Sequence, residues 1–189
     1  AVWGVGFNDG RKYSLSDCKR LVEFFKNDPE AGGCTVMLGV PAHWRELNRD
    51  ALSDPQLLEI IRLADVVSPW TVGRYSNLKE AKEYAENILR ADEAWCVKNK
   101  LDYLPVVFPG FSWHNMYNSG RSAQIPRLRG KFLWSQFYEA KAAGASMIYV
   151  AMFDEVDEGT AIFKCINDVP TGDKSKFVTF EGLPSDYYL

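Results

Sequence analysis

The 189-residue sequence predicts an α/β protein, specifically a (β/α)8 barrel of the TIM type of which this chain supplies about the last five strands. Three observations carry that expectation. Strand-like and helix-like segments alternate along the chain, which argues a parallel sheet covered by helices. The strand-like runs are apolar without a polar face, as in strands buried on both sides. The segments that follow strands are long and rich in aromatics, whereas those that follow helices are shorter and mainly polar, the asymmetry of an enzyme barrel whose site is built at the carboxyl ends of its strands.

The strand-like runs are residues 2–7, 35–40, 66–70, 104–108 and 147–153. Between the first two, Ser14 is an N-cap with Asp17 three residues on, and Leu15, Cys18, Leu21, Val22 and Phe25 keep helical spacing to one face. Asp54-Pro55 opens a short second helix, with Leu57, Leu58 and Ile61 inward. Asn77 followed by Glu80 opens a third, which turns Ala81, Tyr84, Ala85, Ile88, Leu89 and Trp95 toward a core. The fourth, from about residue 130 to 143, presents Leu133, Trp134, Phe137, Tyr138 and Ala140 and stops at Gly144.

A closed barrel takes about 250 residues. The chain opens inside a strand and closes on residues 183–189, which read as the opening of another helix. No Ser/Gly/Pro-rich linker divides it. The expectation is one partial barrel domain over residues 1–189, with the remaining strands coming from the same parent chain.

The composition, 47% hydrophobic and 25% charged, is that of an ordinary globular domain, and the net charge of −3 comes without a basic block, which argues against nucleic acid as a partner. No apolar stretch approaches the ~20 residues of a membrane span. Cys18, Cys34, Cys96 and Cys165 show no Cys-x-x-Cys spacing and read as buried thiols. Gly4-Val5-Gly6-Phe7-Asn8-Asp9-Gly10 has the wrong spacing for a dinucleotide fingerprint, so no cofactor is expected. His43 and His114 lie in post-strand loops without metal-ligand spacing, and no metal is expected. A serine-centred triad lacks its elbow.

The chemistry concentrates where the last apolar run, Met147 to Phe153, gives way to Asp154-Glu155-Val156-Asp157-Glu158-Gly159. A turn there brings Glu155 and Glu158 toward one pocket, and a pair of carboxyl groups is the equipment of glycosidic bond hydrolysis. Exposed rings beside directional polar groups suit a sugar, whose C–H face packs on aromatics. Candidate sugar-binding residues are Trp44, Trp70, Arg74, Tyr75, Phe111, Trp113, His114 and Asn115, with Asp154 and Asp157 as orienting carboxylates. Two alternatives use the same residues: a metal-dependent barrel hydrolase with the acidic turn as ligands, and a non-catalytic glycan-binding barrel.

The segment Phe153-Asp154-Glu155-Val156-Asp157-Glu158-Gly159-Thr160 resembles the last-strand motif Trp-Asn-Glu-Trp-His-Glu-Gly-Thr of glycoside hydrolase family 99 and its family 71/99-like relatives. Pro109-Gly110-Phe111 and the opening strand are also similar to segments of that group. Phe153, Asp154, Val156 and Asp157 replace the usual Trp, Asn, Trp and His. The resemblance implies a barrel that cleaves α-mannosidic linkages with retention through a 1,2-anhydro sugar, without cofactor, acting in the periplasm or outside the cell. By position, Glu155 matches the carboxylate that assists the sugar 2-hydroxyl and Glu158 the general acid/base.

The partial-barrel expectation has its own test. Five strands of eight leave two apolar sheet edges, which recruit other chains. These 189 residues expressed alone are expected to self-associate and to be inactive. Light scattering that shows a monodisperse, active monomer favours a complete open α/β sheet instead.

Overall fold

The computed structural model describes residues 2–3, 7–8, 12–117, 123–169, 172 and 174–189. In chain order the strands are β1 (Val2–Trp3), β2 (Met37–Pro41), β3 (Val66–Trp70), β4 (Asp102–Tyr103), β5 (Val106–Val107) and β6 (Tyr149–Val150). The helices are α1 (Leu15–Asn27), α2 (Gln56–Ile61), α3 (Leu78–Tyr84), α4 (Arg90–Asn99), α5 (His114–Tyr117) and α6 (Lys131–Ala142), with a π-helical turn at Ala85–Leu89 and a 3₁₀ turn at Leu128–Gly130. The described residues form two compact units. The first draws on Ala1–Thr71, Asn87–Pro105 and Ala143–Met147, and the second on Val72–Glu86, Val106–Ala142 and Ile148–Leu189.

The first unit holds a parallel sheet in the order β1-β2-β3-β4. β2 and β3 pair from Met37↔Val66 to Pro41↔Trp70 and bury Leu38, Val40 and Val67 completely or nearly so. Within the predicted first strand, residues 4–6 lie outside the described residues, as do Asp9 and Gly10. α1 starts where Ser14 and Asp17 form a reciprocal capping box: Ser14 Oγ accepts from the Asp17 N–H, and the Ser14 N–H donates to Asp17. The Ser14 hydroxyl and then the Ser14 N–H, both donating to the Asp17 carboxylate, hold that carboxyl down at about 2, with Arg20 adding to the effect. The end of α1 is tied to the sheet through Asp65, which takes Lys26 Nζ at 2.7 Å on one oxygen and the Val36 N–H at 2.8 Å on the other. α2 buries Leu57, Ile60 and Ile61, so Ile60 takes the inward place expected of Leu58.

The second unit carries the two-stranded parallel ladder β5–β6, with Val106↔Tyr149 and Val107↔Val150 in register. β5 continues into Phe108, whose backbone is matched by a side chain. The Phe108 N–H donates to Gln136 Oε1 at 3.1 Å, and Gln136 Nε2 donates to Phe108 O at 2.8 Å and to Phe132 O at 2.9 Å. Gln136 Oε1 also accepts from the Tyr75 hydroxyl at 3.0 Å. Tyr75, Phe108 and Phe132 pack their rings around this amide with centroids 5.2 to 6.1 Å apart.

Several expectations are corrected here. Neither ladder closes, so no eight-stranded barrel is present among the described residues. The run 104–108 is divided: Asp102–Tyr103 and the Leu104 N–H belong with β3, Pro105 has no N–H to continue that ladder, and Val106–Val107 pairs with β6. The run 147–153 contributes only Tyr149–Val150 to the ladder, because Met152 and Phe153 bond instead to the far side of the acidic turn. The third helix is interrupted by the π-helical turn, and the face of α6 is displaced. Phe132, Leu133, Gln136 and Ala140 are inward, while Trp134 and Tyr138 are 73% and 66% exposed, since pairing the buried Phe108 backbone outweighs burying two more rings. Of the four thiols Cys18 and Cys96 are buried, Cys165 is half-buried and Cys34 is exposed.

In the first unit Arg45 reaches a fully buried carboxylate. Asp92 on α4, 1% exposed, accepts from Arg45 Nε at 2.7 Å and faces the Tyr103 hydroxyl at 3.5 Å. Burial pushes its carboxyl up to about 7 even with the guanidinium beside it. Arg45→Ala is therefore expected to destabilise the protein by about 3 kcal/mol at pH 8, where the buried Asp92 must either stay charged without its partner or take up a proton. A carboxyl raised above its unfolded value loses stability as pH rises, so the loss shrinks toward about pH 3, below the ordinary aspartate value, where Asp92 is largely protonated in both states. Urea denaturation midpoints at the two pH values check this.

Candidate active site

The acidic turn is a closed loop with both ends sealed. After β6, Ala151 donates to Val107 O at 2.9 Å, extending the alignment with β5 by one bond. Met152 then donates to Thr160 O, while the Ile162 and Phe163 N–H groups return to Met152 O and Phe153 O at 3.1 and 2.8 Å. Inside this pinch the Glu155 carbonyl accepts from Thr160 and Ala161 at 3.1 and 2.8 Å, and Gly159 donates to Val156 O at 3.1 Å. Gly159 has φ +70°, and a Cβ there would meet Val178 Cγ2 at 2.5 Å, so only glycine fits.

Glu155 and Glu158 are half-buried, whereas Asp154 and Asp157 face solvent. Glu155 Oε1 accepts from the Asp157 N–H at 2.9 Å, which holds its carboxylate against the turn. The Glu158 carbonyl accepts from the Ser112 N–H at 2.7 Å. Its carboxyl is held above the usual range, first by burial and then by the charges of Glu155 and Asp157. The turn thus presents two carboxyl groups, one of which is biased to keep its proton.

The segment after β5 is brought to this turn. Beyond the Ser112 bond, Asn115 Nδ2 donates to Asp157 O at 3.3 Å and Asn115 Oδ1 accepts from the Lys176 N–H at 3.0 Å. Phe111 pairs with Ile125 in an antiparallel bridge and stacks on Trp113 with centroids 4.6 Å apart. Trp113 in turn covers Gly73, where a Cβ would lie 3.1 Å from the indole, so the loop of Arg74 borders the same segment. Arg74 is exposed, Trp113 and Asn115 are half-buried, and Phe111 and His114 are each 5% exposed. His114 Nε2 lies 3.2 Å from Lys174 O.

Two candidate sugar platforms prove to be core residues. Trp44 has no exposed surface and packs edge-on against Trp95 at 4.9 Å, and Tyr75 is 7% exposed with its ring among Tyr84, Phe108 and Phe132 and its hydroxyl on Gln136. The loops that follow strands here need rings to fill them, and burial claims these two. Trp70, half-buried at the end of β3, belongs with Trp44 to the first unit and is described apart from the acidic turn. Sequence reasoning missed Ser112, whose N–H carries the Glu158 carbonyl, and Arg127, whose guanidinium donates to Gly159 O and Ala161 O. An isolated serine and arginine give no pattern by which to find them. Among the described residues no three His, Cys, Asp or Glu side chains are grouped to hold a metal ion, and no helix is long and apolar enough to cross a membrane.

The raised Glu158 carboxyl has a stability signature. The folded protein retains that proton to higher pH than the unfolded chain, so Glu158 works against folding increasingly as pH rises above the ordinary glutamate value. Glu158→Gln is expected to raise the melting temperature at pH 7 and to leave it unchanged below about pH 4, where both states are protonated. Thermal melts of both proteins across that range decide it.

No protein-family model matches the sequence, and no curated protein matches it. Solved structures do, and among them are two of a GH99 endo-α-mannosidase from Bacteroides thetaiotaomicron. With the one in complex with bis-tris-propane the TM-score is 0.62 at 18% identity, covering 90% of this chain and 50% of that one. With the other it is 0.57 at 17% identity, covering 93% of this chain and 58% of that one. The chain therefore spans little more than half the length of the structures it matches, and at these identities the likeness is one of fold: a partial α/β barrel-like fold related to GH99.

Proposed function

We propose that the acidic turn is the catalytic centre of a glycoside hydrolase acting on a polysaccharide or glycan. The observation that carries this reading is the pairing, three residues apart in one turn, of Glu158, whose carboxyl is raised first by burial and then by the charges of Glu155 and Asp157, with Glu155, whose Oε1 accepts from the Asp157 N–H. A glycosidic oxygen leaves poorly without a proton, and a carboxyl biased toward its protonated form is suited to supply one. Glu158 donates the proton to the leaving oxygen. Glu155 assists the attacking oxygen, in the resembling family the sugar 2-hydroxyl. Trp113, Arg74 and Asn115 form the sugar-facing rim, and Asp154 and Asp157 orient hydroxyls. An α-mannan-like substrate and a site of action in the periplasm or outside the cell follow from the family resemblance.

The test is a screen of the intact parent domain on a panel of glycans with product stereochemistry read by NMR, followed by Glu155→Gln and Glu158→Gln in that domain. Each variant is expected to lose about 10²–10⁴ in turnover while glycan binding survives. Because the acid must be protonated, turnover should fall as pH rises through the Glu158 titration, and Glu158→Gln should abolish that limb. Retained turnover in both variants removes the pair from catalysis. Activity that disappears with a chelator and returns with added divalent ion points to the metal-dependent alternative, and binding without cleavage of any glycan points to the binding barrel.

A further inference from the structure

Packing beneath the acidic turn is incomplete. A cavity of about 380 Å³ lies against Val156, Gly159 and Ala161, with Ile166 and Phe177 also in its wall, while Val178 packs directly on Gly159. Arg127 lines the same cavity and bonds the turn from it. Arg127, 1% exposed, donates from Nη2 to Gly159 O at 2.9 Å and to Ala161 O at 2.6 Å.

Everything around Arg127 fixes that guanidinium. Its Cζ lies against the edge-on pair Phe180 and Tyr188, each ring centroid 4.8 Å away. Its stem passes over Gly110, where a Cβ would lie 2.9 Å from Arg127 Cγ, so the glycine of the Pro109-Gly110-Phe111 segment makes room for it. Its own carbonyl accepts from Gly130 and Phe132, which anchors it to the start of α6. Nε and Nη1 are buried without a partner in hydrogen-bonding geometry among the described residues; burial lowers the proton affinity of the guanidinium, opposed in part by the Tyr188 hydroxyl beside it. Burying a cation with two nitrogens unsatisfied is costly, and the pair of bonds to the turn offsets part of that cost.

We infer that Arg127 is a positioning residue: by holding the carbonyls on both sides of Thr160 it sets the place of Glu158, the residue before this grip, relative to Glu155. This rests on the proposed hydrolase reading for its effect on turnover, but its effect on the position of Glu158 does not. Lysine at 127 keeps the charge and most of the stem, yet its ammonium stops one bond short of the Nη2 position and has no planar face to lay against Phe180 and Tyr188. Methionine keeps only the stem.

The experiment compares Arg127→Met and Arg127→Lys with wild type in the full chain. It reads the Glu158 titration midpoint by carbon-detected NMR, assigned with Glu158→Gln, and kcat and KM separately on α-mannan or whichever panel glycan the wild type cleaves. With the grip lost, the turn relaxes toward solvent and the Glu158 midpoint falls toward the ordinary glutamate value. kcat is expected to fall about 10–100-fold in Arg127→Met, as for a small misplacement of a catalytic group, with KM within about 2-fold and Arg127→Lys intermediate. Wild-type midpoints and kcat in folded variants overturn the inference. If Arg127→Met does not fold, Arg127→Lys alone decides in the same terms. If the wild type cleaves no glycan, the hydrolase reading fails while the midpoints still judge Arg127.

Discussion

The pinch that bonds Met152 and Phe153 to Thr160, Ile162 and Phe163 is the constraint on which the candidate site depends. A parallel strand must end somewhere, and beyond its last ladder bond the backbone needs new partners or water. Here the chain supplies those partners from ten residues further on, so the segment between becomes a loop with fixed ends. Four carboxylates in such a loop cannot spread apart in response to mutual repulsion as they would on a free tail. Partial burial first, and then the charges of Glu155 and Asp157 held in the same loop, raise the Glu158 carboxyl. Geometry imposed by backbone bonding thus favours the protonated form of one side chain in the turn.

The same economy of polar partners recurs away from the turn. Asp65 serves the end of α1 and the start of β2 with its two oxygens. Asp92 has one strong partner, Arg45, and its carboxyl stays high because burial outweighs that contact. Each is a buried or half-buried group whose charge is decided by its surroundings.

Much of the local structure was legible because it rests on short-range chemistry. Ser14 and Asp17 announced α1, Asp54 accepts from the Gln56 N–H at the start of α2, and Asn77 Oδ1 accepts from the Glu80 N–H at the start of α3. β3 occupies the residues that were expected, 66–70. The acidic turn was visible as a charge cluster after an apolar run. What was illegible depends on partners distant in sequence. Pro105 divides one apolar run between two ladders, which hydropathy alone does not register. Gln136 faces inward because Phe108, 28 residues away, needs its amide, and Trp134 is exposed in consequence. Trp44 and Tyr75 looked like sugar platforms because they follow strands, but position after a strand does not say whether a ring faces the crevice or plugs the loop. Arg127 was invisible because its role is defined by the carbonyls it reaches.

Gln136 has a further consequence for association between chains. A strand residue whose N–H and carbonyl point outward is a template on which another polypeptide can add a strand. At Phe108 both groups are already taken by one primary amide, which presents a donor and an acceptor as a neighbouring peptide unit would. The side chain therefore acts as a one-residue strand that cannot be extended. Pairing by a foreign chain at this point would have to displace an amide held by four hydrogen bonds within a ring of aromatic side chains.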